Sequence, residues 1–460
     1  VARAGTGRSP VEALALILVL VCIVAGLVAG RPDAVALAAP FALLALAGRA
    51  APGGGEEPPV RISTDPRTQG SRLRLLLAPS AAGGGPSGGL VATTLAAPGC
   101  PPDALVLRSD EECPLLVRAP LSGEADVLSY GAAGFTADLA VSSPFAPAPP
   151  VRVSILPPIG EPLARPVSRR LVGLAGTHAS RRAGDGGELR SIAPLQPGDA
   201  LRRIDWRATA RRSADQDRLM VRRSFADAEA SVLLVVDQAH DLPSSTADWF
   251  TAGPRLSAGS LHTARAAATT VAASFVAGGD RVGLDDLSGT RRALRSAGGA
   301  RHLEQIRVRL AVTSVVPRRR RGRDPVPPQG SVVVVFSAFL DAEPARLLRL
   351  WHAQGHLVAG VDCVPPLVHD ATTTAQTQAV PLTQLRRHLL LEDLGKEGIP
   401  VFSGASAVVG VAADAHLPDR GGPDLETGLR LMARQSSRHG GGAAQGAARR
   451  PGRADDGRTP

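Results

Sequence analysis

SVLLVV (Ser231–Val236) and, a hundred residues on, SVVVVF (Ser331–Phe336) are runs that stay apolar after their leading serine. A strand with one face in water alternates apolar and polar residues, whereas a strand apolar at every position is covered on both faces. Around these two runs lie Leu261–Ala277, Ala-rich and helical in spacing, and DRVGLDDL (Asp280–Leu287), a further strand. Amphipathic His302–Leu310, helical Glu343–Gln354, the strand His356–Asp362, helical Leu385–Lys396 and the strand Ile399–Phe402 follow. Continuous apolar strands alternating with helices predict an α/β domain over 230–433, with a doubly wound, mostly parallel sheet.

Upstream the pattern weakens. Leu73–Leu77, Ala104–Leu107 and Val151–Leu156 are short apolar runs separated by Gly/Pro/Ser-rich stretches such as Ala81–Gly89, which predicts a small β-sandwich-like region over 60–160. Residues 51–59 are a Gly/Pro/Glu linker. Val11–Gly30 holds one charge, Glu12, and has the length needed to cross a bilayer. Ala34–Ala47 is apolar and shorter, and Arg31, Pro32 and Asp33 form a turn between the two runs. Arg3 and Arg8 before the pair, with Arg49 and Arg61 after it, favour a transmembrane helical hairpin over 1–50 with both ends cytoplasmic. A single anchor and a cleaved signal peptide are the alternatives. At the other end, Arg434–Pro460 has no apolar period and reads as a disordered tail, and Arg318–Arg321 as a solvated loop.

The densest polar stretch is QPGDALRRIDWRATARR (Gln196–Arg212), within a segment spanning 161–229. Pro197-Gly198 signals a turn, after which Asp199 is placed to cap a helix. Leu201, Ile204 and Ala208 recur near helical spacing, leaving Arg202, Arg203 and Arg207 outside, with Asp205 and Trp206 on a buried edge or an interdomain contact. A salt-bridged structural strap is the plainer reading of these residues, and a partner-binding surface the sharper one.

Composition excludes several functions. The net charge is +10, but Lys396 is the only lysine, so the basic balance is almost wholly arginine and reads as compositional bias. Aromatic residues make up 3%, too few for a base-stacking platform, and no nucleic-acid partner is expected. Of the four cysteines only Cys100 and Cys113 are candidates to pair, and the ordinary reading of all four is inert thiols. No Walker A loop, HExxH or GxSxG elbow occurs, and neighbouring Asp285 and Asp286 would point to opposite faces of a strand. The chain is therefore expected not to be an enzyme.

The pattern PGDxxRxIDWxxTAR resembles the signature of a bacterial family known as "domain of unknown function 58". Pro197, Gly198, Asp199, Arg202, Arg203, Ile204, Asp205, Trp206, Thr209 and Arg211 are taken as the signature or interaction residues. Gly173–Ile192, with His178, also looks like the family, His178 being read as a hydrogen-bonded structural residue. The alternating part resembles a von Willebrand factor A-like domain, in which ligands bind beyond the carboxyl ends of the strands, where Asp237 and Ser337–Ala338 fall. That resemblance implies a metal loop of the form Asp-x-Ser-x-Ser, but here the chain reads Asp237-Gln238-Ala239-His240-Asp241, and Ala338 stands where an acid is common. No cofactor is expected; a rebuilt Mg²⁺ site using Asp237, Asp241 and His240 is the alternative. Members of the family commonly accompany MoxR-type AAA+ ATPases and transglutaminase-like membrane proteins. The resemblance thus implies an integral cell-membrane protein with its soluble part cytoplasmic, acting as a non-catalytic adaptor or scaffold for such an ATPase. An outward-facing metal-dependent adhesion or receptor module is the runner-up.

Overall fold

The computed structural model describes residues 10–50, 59–64, 72–80, 89–119, 121–136, 142–143, 145–168, 178–212, 218–250, 258–316, 324–370, 373–405 and 423–441. They fall in two compact units that divide after Ile155. Arg318–Arg321 lies outside the described residues.

The first unit opens with α1 (Pro10–Ala29), α2 (Pro32–Ala36) and α3 (Ala38–Ala50). Gly30, at a φ of 65°, and Arg31 separate α1 from α2, and Leu37 interrupts the second apolar run. Val11–Ala29 has a mean hydropathy of 2.9 and is long and apolar enough to cross a membrane, whereas Pro32–Leu46 is apolar but shorter. α3 packs on α1, with Ala15, Ala38 and Ala45 buried while Leu20, Val24, Leu27 and Val28 face outward. A side chain at Gly26 would meet Val35 at 2.5 Å, so the close approach there depends on glycine.

Eight antiparallel strands follow: β1 (Val60–Thr64), β2 (Arg72–Pro79), β3 (Leu90–Ala96), β4 (Asp103–Arg108), β5 (Cys113–Arg118), β6 (Gly123–Phe135), β7 (Ala146–Pro147) and β8 (Val151–Ile155). They form one sheet in the order β1-β2-β5 and another in the order β4-β3-β6-β7, with β8 paired to the start of β6. Ile62, Leu73, Leu75, Leu77 and Val117 of the first sheet share one buried cluster with Val91, Leu107, Val127, Leu128 and Ile155 of the second. Leu73, Leu75 and Leu77 of β2 and Val151, Val153 and Ile155 of β8 alternate inward; β6, broken by Gly131 and Gly134, gave no signal in the sequence. All four cysteines are free, so Cys100 and Cys113 do not pair.

The second unit begins with Leu156–Ser168, a segment without regular structure. Its Gly160 and Leu163 N–H groups donate to Thr270 Oγ1 and Ser274 Oγ, both at 2.9 Å. A long ribbon follows, β9 (His178–Pro194) against β10 (Met220–Ala228), with α4 (Trp206–Arg212) between them in sequence. Then come β11 (Ser231–Val236), α5 (Ser260–Ala277), β12 (Arg281–Asp286), β13 (Leu294–Ala297), α6 (Ala300–Ala311), β14 (Val332–Ser337), α7 (Glu343–Ala353), β15 (Leu357–Asp362), α8 (Thr374–Lys396), β16 (Val401–Ser403) and α9 (Leu425–Gly441).

The sheet runs β13-β12-β11-β14-β15-β16, parallel except for β13. Its even-numbered central residues (Val232, Leu234, Val332, Val334) pack with α5, α6 and α9, and its odd-numbered ones (Leu233, Val235, Val333, Val335) with α7 and α8. That two-sided cover is why β11 and β14 carry no polar alternation.

Two helices differ from expectation. α8 starts eleven residues before Leu385, behind a capping box formed by Thr373 and Gln376, and it contains Pro381. The proline and the polar first half hid that helix. α9 continues to Gly441, so Arg434–Gly441 is helical rather than part of a structureless tail; residues 442–460 lie outside the described residues. Leu425, Leu429 and Met432 anchor α9 in the core, and Gly428 admits the ring of Phe402 against its backbone.

Candidate functional site

The signature residues form a strap over the β9–β10 ribbon. Pro197 and Gly198, at a φ of 97°, make a turn closed by Asp199 N–H to Gln196 O at 3.0 Å, and glycine supplies the positive φ. The expected helix does not start at Asp199. Leu201–Arg203 is one 3-10 turn, and Ile204 is extended and bridges to Val221. Asp199 instead accepts from Gln196 N–H at 2.9 Å and Arg223 Nη2 at 3.0 Å, which together hold its carboxyl below the usual range.

The true cap is Asp205, whose Oδ1 accepts from Ala208 N–H at 2.9 Å, and this starts α4 six residues later than Asp199 would. Thr209, on the inner side of α4, is buried and accepts from Met220 N–H at 2.9 Å. The extended residue at 204 resets the helical phase, so Trp206 is not on a buried edge. It is 67% exposed, beside Leu201 at 69%.

The charges of the strap are mostly paired within it. Arg203 reaches Asp185 at 2.6 Å and Arg202 at 3.4 Å, Arg223 holds Asp199, and Arg222 lies 3.9 Å from Asp205. Exposed Arg207 and Arg211 have no ion-pair partner among the described residues. The start of the ribbon and the Leu156–Ser168 segment meet at Asp280, fully buried, which takes His178 Nε2 at 2.7 Å and Arg165 Nη1 at 3.2 Å. Gly278 leaves room for that Arg165 guanidinium, which lies where a side chain would sit. His178 is thus a hydrogen-bonded structural residue.

The second concentration of polar groups is the carboxyl edge of the parallel sheet. β11 and β14 are neighbours whose onward connections go to opposite faces, the point where such sheets open a crevice. Asp237 follows β11, Ser337 ends β14 and Asp362 ends β15, with Ser337 and Asp362 in register. Ser337 Oγ donates to Asp237 Oδ2 at 2.7 Å and accepts from Phe339 N–H at 2.8 Å. Arg387, from the middle of α8, donates Nε to Ala338 O and Nη2 to Asp362 Oδ1, both at 2.6 Å. Burial pushes the Cys363 thiol up, Asp362 and Asp237 push it further, and Arg387 opposes them.

A divalent ion of the kind the resemblance implies does not fit this donor set. Asp237 also receives Ala239 N–H at 3.2 Å, and Asp241 accepts from Leu261 N–H at 2.9 Å, serving as the acceptor at the start of α5. A side chain at Gly259 would strike Asp241, so that glycine is part of the latch. His240 lies 3.7 Å from Asp341. Among the described residues no group of three or more His, Cys, Asp or Glu side chains is placed to hold a metal.

Residues 191–367 match the model of the family described as "Protein of unknown function DUF58". No curated protein and no solved structure matches the chain. The DUF58 match takes in the end of β9, the strap and the sheet through β15; α1–α3, the strands of the first unit, α8 and α9 lie outside it. Asp280, Arg165, Asp362 and Arg387 escaped the reading of the sequence. Asp362 was accessible by the same strand-end argument that singled out Asp237. Arg387 carried no signal, because its contact spans 25 residues and depends on how α8 packs.

Proposed function

We propose that the chain is a membrane-tethered, non-catalytic adaptor that presents the outer face of its strap to a protein partner. The observation that carries this is the exposure, within one strap, of Leu201, Trp206, Arg207 and Arg211. Tryptophan and arginine are the residues most enriched at binding hot spots, and here the surrounding charges are already paired internally, so this face is left for another surface. The α1 helix supplies a membrane tether by its length and apolarity, α3 packed on it supports a helical hairpin, and the arginines flanking the pair favour a cytoplasmic side for the soluble units. The sheet order and the crevice at Asp237 and Ser337 support a von Willebrand A-like domain as the rigid platform. By the family resemblance, the partner is a MoxR-type AAA+ ATPase.

The test is binding of the full chain, in detergent micelles, to a purified MoxR-type AAA+ ATPase. Trp206→Ala is expected to weaken binding at least about tenfold while the melting temperature stays put. Undiminished binding by that variant would remove the strap from the interface.

A further inference from the structure

We infer that Arg387 is the built-in cation of the sheet's carboxyl edge, so that this edge is closed and independent of divalent ions. Asp237 and Asp362 stand on either side of Ser337 at adjoining strand ends, and both Asp237 and Ser337 are buried. Carboxylates in so little water require a compensating positive group. Arg387 provides it: its side chain is 11% exposed, and its planar fork bonds the Ala338 carbonyl and the Asp362 carboxylate together.

The backbone is shaped to receive it. Phe339, at a φ of 49°, is the one non-glycine residue with positive φ among the described residues, and the Ser337 hydroxyl holds its N–H. Such a conformation costs of order 1 kcal/mol and persists only where the surroundings enforce it. Here it forms the bend directly after the Ala338 carbonyl that Arg387 takes. Each acid that would ligate an ion thus already holds partners: both oxygens of Asp237 with Ser337 and Ala239, Oδ1 of Asp241 with α5, and Oδ1 of Asp362 with Arg387 and Val364. A guanidinium on a helix supplies the positive charge that an exchangeable ion would otherwise bring, and any partner of this edge meets a surface of fixed charge.

The experiment is thermal unfolding of the full chain in detergent, with millimolar Mg²⁺, Mn²⁺ or Ca²⁺ and with EDTA, for wild type, Arg387→Ala, Arg387→Lys and the double variant Arg387→Ala/Asp362→Asn. Wild type is expected to melt at one temperature in all four solutions. Arg387→Ala should fall by at least about 5 °C, and Asp362→Asn should recover half or more of that loss by removing the unpaired carboxylate. Arg387→Lys, which keeps the charge without the fork, should lie between and decides the matter if the alanine variant does not fold. An ion-dependent rise of wild type that EDTA reverses would overturn the inference, as would additive losses in the double variant.

Discussion

Gln196–Arg212 and the parallel sheet handle charge in opposite ways. The strap gathers arginines and acids within seventeen residues, and its pairs lie at or near the surface: Asp185 is 72% exposed against both Arg202 and Arg203, while Arg223 and Asp199 are half-buried. Exposed pairs of this kind contribute little each. The sheet carries few polar residues, but Asp237 and Asp280 at its strand ends and His262 on α5 are buried, and the two acids are held by hydrogen bonds. Density of charge along a sequence therefore marks a surface, while the polar groups that hold this domain together stand singly among valines and alanines.

The sharpest way to break that contrast is Asp280→Ala, which strands Arg165 and His178 and should cost about 3–5 kcal/mol in denaturant unfolding of the full chain. A loss no larger than that of a strap variant would erase the distinction. His262 comes next. Burial, with Arg265 adding to it, lowers its pKa from 6.5 to about 4. Its folded value lies below its unfolded one, so its contribution is complete above pH 6.5 and declines as pH falls toward 4, by about 1.4 kcal/mol per unit. The difference between wild type and His262→Asn, followed over that window, should show this slope; parallel profiles would contradict it.

In the strap, Asp205→Ala removes the cap of α4 and should cost about 1 kcal/mol in the same unfolding measurement. Trp206→Ala should change stability by less than about 0.5 kcal/mol, because its ring is already in water. A larger loss there would mean that the ring packs against something in the folded chain after all.

The same contrast explains what was legible in the sequence. β11 was bounded as Ser231–Val236 and α7 to within a residue, because two-sided burial and amphipathic spacing are local properties. The strap was recognised but its geometry was misplaced. One extended residue, Ile204, held by Val221, moved the cap from Asp199 to Asp205 and turned Trp206 outward. β6 and β13 were missed for lack of a period, and Arg387 because only tertiary packing brings it to the sheet edge.

The segment Leu156–Ser168 has a mechanical consequence. Tension reaching the second unit along the chain meets, in order, Pro157 O held by Arg307, Gly160 on Thr270, Leu163 on Ser274 and Arg165 on Asp280. These attachments are spread along α5 and α6 and end at the foot of β12. A pull along the chain from the first unit is shared among buried hydroxyls and a buried carboxylate before it reaches any strand. The sheet is thus attached to the preceding chain at four successive points rather than at a single strand end.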